Sequence, residues 1–350
     1  MLCEESGDTM SKRMGEQTVK LEKKPKIIAT TSVVGPKEGQ GPLKDYFDII
    51  LKDDKNGQDS FEKAESSIMY LAIKETIKKA GLQDKDINYI FAGDLLNQTI
   101  SSNYVARGLD IPFFGLYGAC STMSESLSLA SITMDGGFAD YALACTSSHF
   151  SSAERQYRYP LEFGNQRAKT AQWTVTGSGC MLLGLNGDYP EVTYITTGKV
   201  KDYGINDANN MGAAMAPAAV STISQHFKDT GFKVEDYDLI VSGDLGKVGK
   251  AITEQMLLEE YNLDIRSIYM DGGDSIFHDE EQKTESGGSG CGCSAVVGCG
   301  FVYKGLMEGK FKRIMLVSTG ALMSPTSSYQ GETIPGIAHA VTIEYNKEGK

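Results

Sequence analysis

The sequence predicts an α/β protein made of two β-α-β-α-β-β halves, and three observations carry that expectation. Strand-like runs rich in β-branched residues alternate with helical periodicity, in the same order in both halves. An offset of 150 places Gly81 on Gly231, Asp86 on Asp236, Gly93 on Gly243, Asp94 on Asp244 and Leu95 on Leu245. Further along, an offset of 173 places Cys120 on Cys293, Gly136 on Gly309, Phe138 on Phe311 and Thr146 on Thr319, which implies a 23-residue insertion in the second half. Matches at constant offset, with elements in constant order, are the mark of an internal duplication. The expected organisation is a disordered polar tail over residues 1–24, a first half over 25–187 and a second over 188–350.

In order along the chain, Lys26-Ile-Ile-Ala-Thr-Thr-Ser-Val-Val34 reads as the first strand. Gly35-Pro36 and Gly39-Gln-Gly-Pro42 punctuate a loop. Helical spacing of Ile68, Leu71, Ala72, Ile73, Ile77 and Ala80 predicts a helix over 61–80, with Gly81 placed to end it. Ile87 to Ala92 is a buried strand, followed by a short helix near 101–108. The apolar run 111–117 is a strand leading into Gly118-Ala-Cys-Ser-Thr122, and Met123 to Met134 follows as a helix rich in small residues. Tyr141 to Ser147 and Ser178 to Gly184 are strands, separated by a polar Arg/Tyr-rich loop over 151–172. In the second half, 216–230 reads as a helix ending at Gly231 and 237–242 as a strand.

This strand–turn–helix pattern puts Cys120 at a helix N-terminus, where unpaired N–H groups and the helix dipole favour a thiolate or hold an anion. A small buried Cys that only packs fits the same position. Cys291, Cys293 and Cys299 read as packing residues on the pseudo-equivalent helix, which would meet the Cys120 helix at the centre. A metal site from Cys291-Gly-Cys293 lacks a second ligand pair, so neither metal nor cofactor is expected.

Composition narrows the function classes. The 350 residues are 41% hydrophobic and 23% charged, enough for one large core or two fused ones. A net charge of −12 disfavours nucleic acid or an anionic membrane surface as a general partner. Seven scattered Cys without a secretory signal point to a reducing compartment. No run reaches the length of a membrane span.

As an architecture, from about residue 26 onward, the two halves with Gly-Ala-Cys-Ser-Thr at the second helix resemble the thiolase and ketoacyl-synthase superfamily. That resemblance implies a thiolase-like, layered αβαβα fold. A narrower, chain-long resemblance rests on Ala92-Gly-Asp-Leu-Leu-Asn-Gln98, Asn103-Tyr-Val-Ala-Arg107, Thr146-Ser-Ser-His149, Ala153-Glu-Arg-Gln-Tyr-Arg-Tyr-Pro160, Met215-Ala-Pro-Ala-Ala219 and Ser289-Gly-Cys-Gly-Cys-Ser-Ala-Val-Val297. With these motifs the chain resembles the stage V sporulation protein AD family. The resemblance implies binding of dipicolinic acid (pyridine-2,6-dicarboxylate), alone or as its calcium complex, for uptake into the developing spore and release at germination. It also implies a peripheral place at the spore inner membrane beside other stage V A sporulation proteins, and leaves a homodimer open.

Departures from the enzymes of the superfamily argue against catalysis. Val241-Ser-Gly-Asp244 stands where ketoacyl synthases carry a catalytic His, 287–293 lacks the His of thiolases, and Gly336 stands where thiolases place a second Cys. A Cys nucleophile needs such partners to form its thiolate and handle a carbanion. The candidate ligand-binding residues are Cys120, Asp94, Asn97, Gln98, His149, Arg155, Arg158 and Asp244. Asp94 and Asp244 end equivalent strands, as ligand poles or as turn and cap residues. Asn97 and Gln98 could donate to a carboxylate or satisfy their turn. His149 lies just past a strand end, where α/β sheets place their sites, or is an ordinary loop His. Arg155 and Arg158 have the guanidinium forks that suit carboxylates, or form structural ion pairs near Glu154 and Glu162. Tyr157, Tyr159 and Phe163 could stack on a pyridine ring or anchor the loop. His339 reads as a core or interface His. The competing readings are a Cys120-dependent acyltransferase or condensing enzyme acting on a coenzyme A thioester, and a structural subunit with a vestigial pocket.

Overall fold

The computed structural model describes residues 12–157 and 167–346. In the first half the strands are β1 (Arg13–Met14), β2 (Thr18–Lys20), β3 (Lys26–Val34), β4 (Ile49–Ile50), β5 (Tyr89–Gly93), β6 (Phe113–Gly115), β7 (Ala142–Ser148), β8 (Trp173–Thr174) and β9 (Gly177–Gly184). Its helices are α1 (Phe61–Lys79), α2 (Ile100–Leu109), α3 (Thr122–Asp135) and α4 (Phe150–Tyr157). The second half adds β10 (Glu191–Thr196), β11 (Leu239–Gly243), β12 (Tyr269–Asp271), β13 (Gly288–Ser289), β14 (Arg313–Ala321) and β15 (Gly336–Glu344). Its helices are α5 (Met211–Thr230), α6 (Gly246–Tyr261), α7 (Gly272–Ile276), α8 (Asp279–Gln282), α9 (Cys291–Val297), α10 (Tyr303–Met307) and α11 (Pro325–Tyr329).

The main strands run in the order β12-β11-β14-β15-β10-β3-β9-β7-β5-β6. Read outward from the middle, β3-β9-β7-β5-β6 and β10-β15-β14-β11-β12 are the same arrangement twice. In each, the outer pairings are parallel and the inner ones antiparallel. In this order the halves join at β3 and β10, where Glu191 stands opposite Lys26. The offset of 150 carries β5 onto β11 residue for residue. The insertion is taken up by a longer α6 and by α7 and α8, which have no first-half counterpart.

Layering follows from which faces are apolar. Helix α1 covers the outer face of β3, β7 and β9, and α5 covers β14 and β15, with α6 against α5. Helices α3 and α9 lie between the two half-sheets, β3-β9-β7-β5-β6 and β10-β15-β14-β11-β12. α3 touches β5 and β7 on one side and β14 and β15 on the other, and α9 packs on β3, β7, β9 and β11. Small residues permit this: Ser124 Oγ meets Ser318 Oγ at 2.8 Å, and a Cβ on Gly179 would stand 2.4 Å from the Ala295 carbonyl oxygen. The expected thiolase-like αβαβα layering is the observed one. Cys291, Cys293 and Cys299 are fully buried along α9 and the wider π turn that continues it, Gly298–Val302.

Three expectations need correction. Within the tail expected to be disordered, β2 pairs with β10. The Asp229 carboxylate accepts the backbone N–H groups of Glu16, Gln17 and Thr18, and Lys12 reaches Asp135 at 2.6 Å. Hydropathy gave no sign because the arm is held by backbone bonds and a single buried apolar side chain, Leu21. Residues 1–11 lie outside the described residues. The loop expected over 151–172 begins with α4, whose buried face is only Ser152, Ala153 and Glu154, too polar for an apolar-periodicity signal. Helix α5 starts at Met211 rather than 216, so Pro217 lies inside it.

Candidate ligand-binding site

Strand β6 hands the chain to Leu116-Tyr117-Gly118, then to a single 3₁₀ turn, Ala119–Ser121, and then to α3. Cys120 thus stands at the start of α3, as its sequence context predicts, and is 6% exposed. Ala119 carries the strain of the turn, with φ of +53°. Its carbonyl is fixed by Thr122 Oγ1 at 2.6 Å and by the Cys291 thiol at 3.0 Å. Burial pushes the Cys291 thiol well above its ordinary pKa, so it stays a protonated donor. Gly320 of β14 presses on the same turn: a Cβ there would meet the Gly118 oxygen at 2.5 Å.

Cys120 opens on a cavity of about 320 Å³ between the halves. From the first half come Leu95, Asn97, Tyr117, Glu154 and Tyr157; from the second, Met211, Ser289, Leu322 and Met323. The two tyrosines are tied together, with hydroxyls 2.9 Å apart, and Tyr157 also donates to the Leu95 carbonyl. Burial raises the Tyr157 hydroxyl pKa, so it remains a donor. Glu154 is 4% exposed, with Arg167 Nη1 at 3.7 Å and the Thr174 hydroxyl at 3.5 Å. The result is an apolar cleft with aromatic walls, several hydroxyl donors and one paired carboxylate, the usual make-up of a small-molecule site.

The candidate residues divide. Cys120 and Asn97 line the cavity. Asp94 is buried behind it and accepts Ser102 N, Ser102 Oγ and Leu96 N, so it caps the entry to α2. Asp244 is also fully buried, at φ of +89°, and desolvation raises its carboxyl pKa far above the usual range. Gln98 is exposed outside the cavity wall, and its carbonyl accepts from Asn103 Nδ2.

His149 is completely buried. Its Nε2 faces the Asp54 carbonyl at 2.8 Å and its Nδ1 accepts Ser151 N–H, which assigns the Nε2–H tautomer. Burial lowers its pKa, and both ring nitrogens are used away from the cavity. Arg155 points to the outer surface and pairs with Glu62 at 2.6 Å, so the expected clamp is an ion pair with a partner distant in sequence. Arg158, Tyr159 and Phe163 lie outside the described residues. Among the described residues no histidine lines the cavity; His339 sits on β15, where burial pulls its pKa down to about 4.

Sequence reasoning missed Tyr117 and the second-half wall, and treated Glu154 only as an ion-pair partner. A signal existed for α4: positions 153, 154 and 157 share one helical face. Nothing local marks Met211 or Leu322, which the cavity acquires only through the packing of the halves.

Comparison with known proteins bears on this arrangement. The family model described as Stage V sporulation protein AD (SpoVAD) matches residues 15–344. The chain is 46% identical over 333 residues to Stage V sporulation protein AD of Bacillus subtilis (strain 168), covering 95% of this chain and 98% of that one. Among solved structures, cerulenin-bound OleA of Xanthomonas campestris superposes with a TM-score of 0.60 at 16% identity, over 93% of this chain and 98% of that one. The 3-oxoacyl-[acyl-carrier-protein] synthase III of Aquifex aeolicus VF5 gives 0.53 at 13%, over 92% and 100%. At such identities these two structures speak for the fold alone.

Proposed function

Because the chain belongs to the stage V sporulation protein AD family, we propose that it is a non-catalytic binder of dipicolinic acid, free or as its calcium complex, serving uptake into the developing spore and release at germination. The observation that carries this reading is the Cys120 cavity. Its volume suits a single aromatic ring bearing two carboxylates, and Tyr117 and Tyr157 offer ring faces and hydroxyls. The lack of a histidine in the described wall supports binding over Claisen-type chemistry, which needs an acid or base beside the thiol. Among the described residues no helix is long and apolar enough to cross a membrane. A peripheral place at the spore inner membrane, beside other stage V A proteins, fits that.

One observation favours a second reading, acyl transfer from a coenzyme A thioester by Cys120: Glu154, paired with Arg167, brings a carboxylate to the wall of the same cavity. Equilibrium dialysis with dipicolinate, with and without calcium, is expected to show saturable binding. Incubation with acetyl- and malonyl-coenzyme A is expected to give no condensed product. Cys120-dependent product together with no dipicolinate binding would reverse the assignment.

The chain is further proposed to pair with a second copy along β6. This edge strand has a neighbour only on its β5 side among the described residues, and it exposes Phe114 at 52%. Sedimentation equilibrium should give a dimer for the parent and a monomer for Phe114→Lys; a parent that stays monomeric at tens of micromolar sinks the pairing.

A further inference from the structure

A second pocket, of about 240 Å³, lies on the second half, far in sequence from Cys120. Residues 221, 224, 225 and 228 fall on one face of α5, which presents Ser221, Ser224, Gln225 and Lys228 side by side. Lys199 and Lys201 close the pocket from the segment after β10. That segment is held in place: Gly198 N–H donates to His339 Nδ1, and Lys201 exchanges both backbone hydrogen bonds with Gly336. Three lysines therefore line one hollow in a protein whose net charge is −12, and the ammonium groups of two of them, Lys199 and Lys228, meet at a single carboxylate.

Two carboxylates answer them. Asp229 is occupied by three backbone N–H groups and the Gln225 amide. Glu16, on the turn between β1 and β2, lies 3.4 Å from both Lys199 and Lys228. Its side chain is 58% exposed, so these are weak surface pairs, easily exchanged. Lys201 forms no ion pair among the described residues.

We propose that this pocket binds a phosphoryl group, which takes the place of the Glu16 carboxylate between Lys199 and Lys228 and gains Lys201. The choice of anion follows from the donors. Lysine ammoniums are point charges without the planar fork that selects a carboxylate, and several of them around one site suit the higher, more spread charge of a phosphoryl group, with the Ser221 hydroxyl beside them. The group can belong to a small phosphate ester or to an anionic lipid headgroup. Val200, Tyr203 and Tyr261, exposed by 54, 61 and 47%, stand beside the lysines and would face a lipid surface.

The test uses the full chain at low ionic strength with two probes: sodium pyrophosphate by calorimetry, and flotation with phosphatidylglycerol–phosphatidylcholine vesicles against phosphatidylcholine alone. At least one phosphoryl probe should bind. Lys201→Ala and Lys228→Ala should each weaken it by about three- to tenfold, the range for an exposed charge-assisted contact. Glu16→Gln should tighten it, a gain that misfolding cannot produce. Pyrophosphate binding identifies a soluble anion as the source, and binding only to phosphatidylglycerol vesicles identifies a headgroup. Dipicolinate binding should be unchanged in Lys201→Ala, which separates this site from the Cys120 cavity. No binding of either probe, equal binding to phosphatidylcholine alone, or lysine variants that match the parent overturns the proposal.

Discussion

Cys120→Trp is expected to abolish dipicolinate binding, while Cys120→Ala keeps the fold and most of the affinity. If the cavity is a binding site, the nucleophilicity of the thiol is irrelevant and its volume is what counts. Cys120 forms part of the wall at the start of α3, and the rest of the wall survives its truncation. An indole at that position has nowhere to go but the cavity, because Gly320 closes the turn from β14 and Cys291 donates to the neighbouring Ala119 carbonyl. Overpacking strain of about 1–3 kcal/mol accompanies the filling. Ligand at 100 times its dissociation constant stabilises the native state by about 2.7 kcal/mol, so thermal shift reads the difference directly. The parent and the Ala variant should show this shift and the Trp variant none. A Trp variant that retains the parent's full shift places the site elsewhere.

Stability is expected to fall as pH rises from about 6.5 to 8, and Glu38→Gln with Glu65→Gln should reduce that fall, leaving the share of the buried Asp244 carboxyl. Desolvation pushes both buried carboxyls up to about 8. Between pH 6.5 and 8 the unfolded chain has lost both protons while the native protein holds them, so each step up in pH favours unfolding. The combined loss is roughly 2–4 kcal/mol across that interval. Below about pH 6.5 the buried histidines act in the opposite sense. His226 and His339, lowered to about 4 by burial, and His149, lowered likewise, contribute stability that disappears as acid protonates the unfolded chain first. From about pH 6.5 upward the histidine contribution fades, so the buried carboxyls dominate the slope across the window. Glu65 also accepts the hydroxyls of Ser147 and Ser152, and Ser152 lies on α4, which carries Glu154 and Tyr157 to the cavity. Its ionisation loosens the support of the site as well as the core. Chemical denaturation at pH 6.5 and 8 measures the slope; a flat parent, or a double variant with the parent's slope, contradicts the assignment.

The duplication was legible because it is written in constant offsets: Gly93-Asp94 and Gly243-Asp244 end strands β5 and β11 in register with the repeat. Periodicity located α1 and α3 to within a residue or two, since their core faces recur at helical spacing. It could not locate α4 or the β1–β2 arm, where backbone bonds and buried polar groups replace an apolar face.

Residue type and local order were enough to place Cys120 at the start of a helix, because a strand, a tight glycine turn and a small-residue helix are all local features. They were not enough to say which charged groups reach it. Arg155 and His149 are chemically apt for a dicarboxylate, yet Arg155 finds Glu62 on α1 and His149 finds the Asp54 carbonyl. Glu154, one residue from Arg155, turns inward to the cavity because a helix rotates neighbouring side chains by about 100°. Seven of the sixteen described lining residues come from the other repeat, brought there by the burial of α3 and α9 between the two half-sheets. Chemistry that depends on one turn of chain was readable from the sequence; chemistry that depends on two packed halves was set by the tertiary structure, because close packing decides direction as well as proximity.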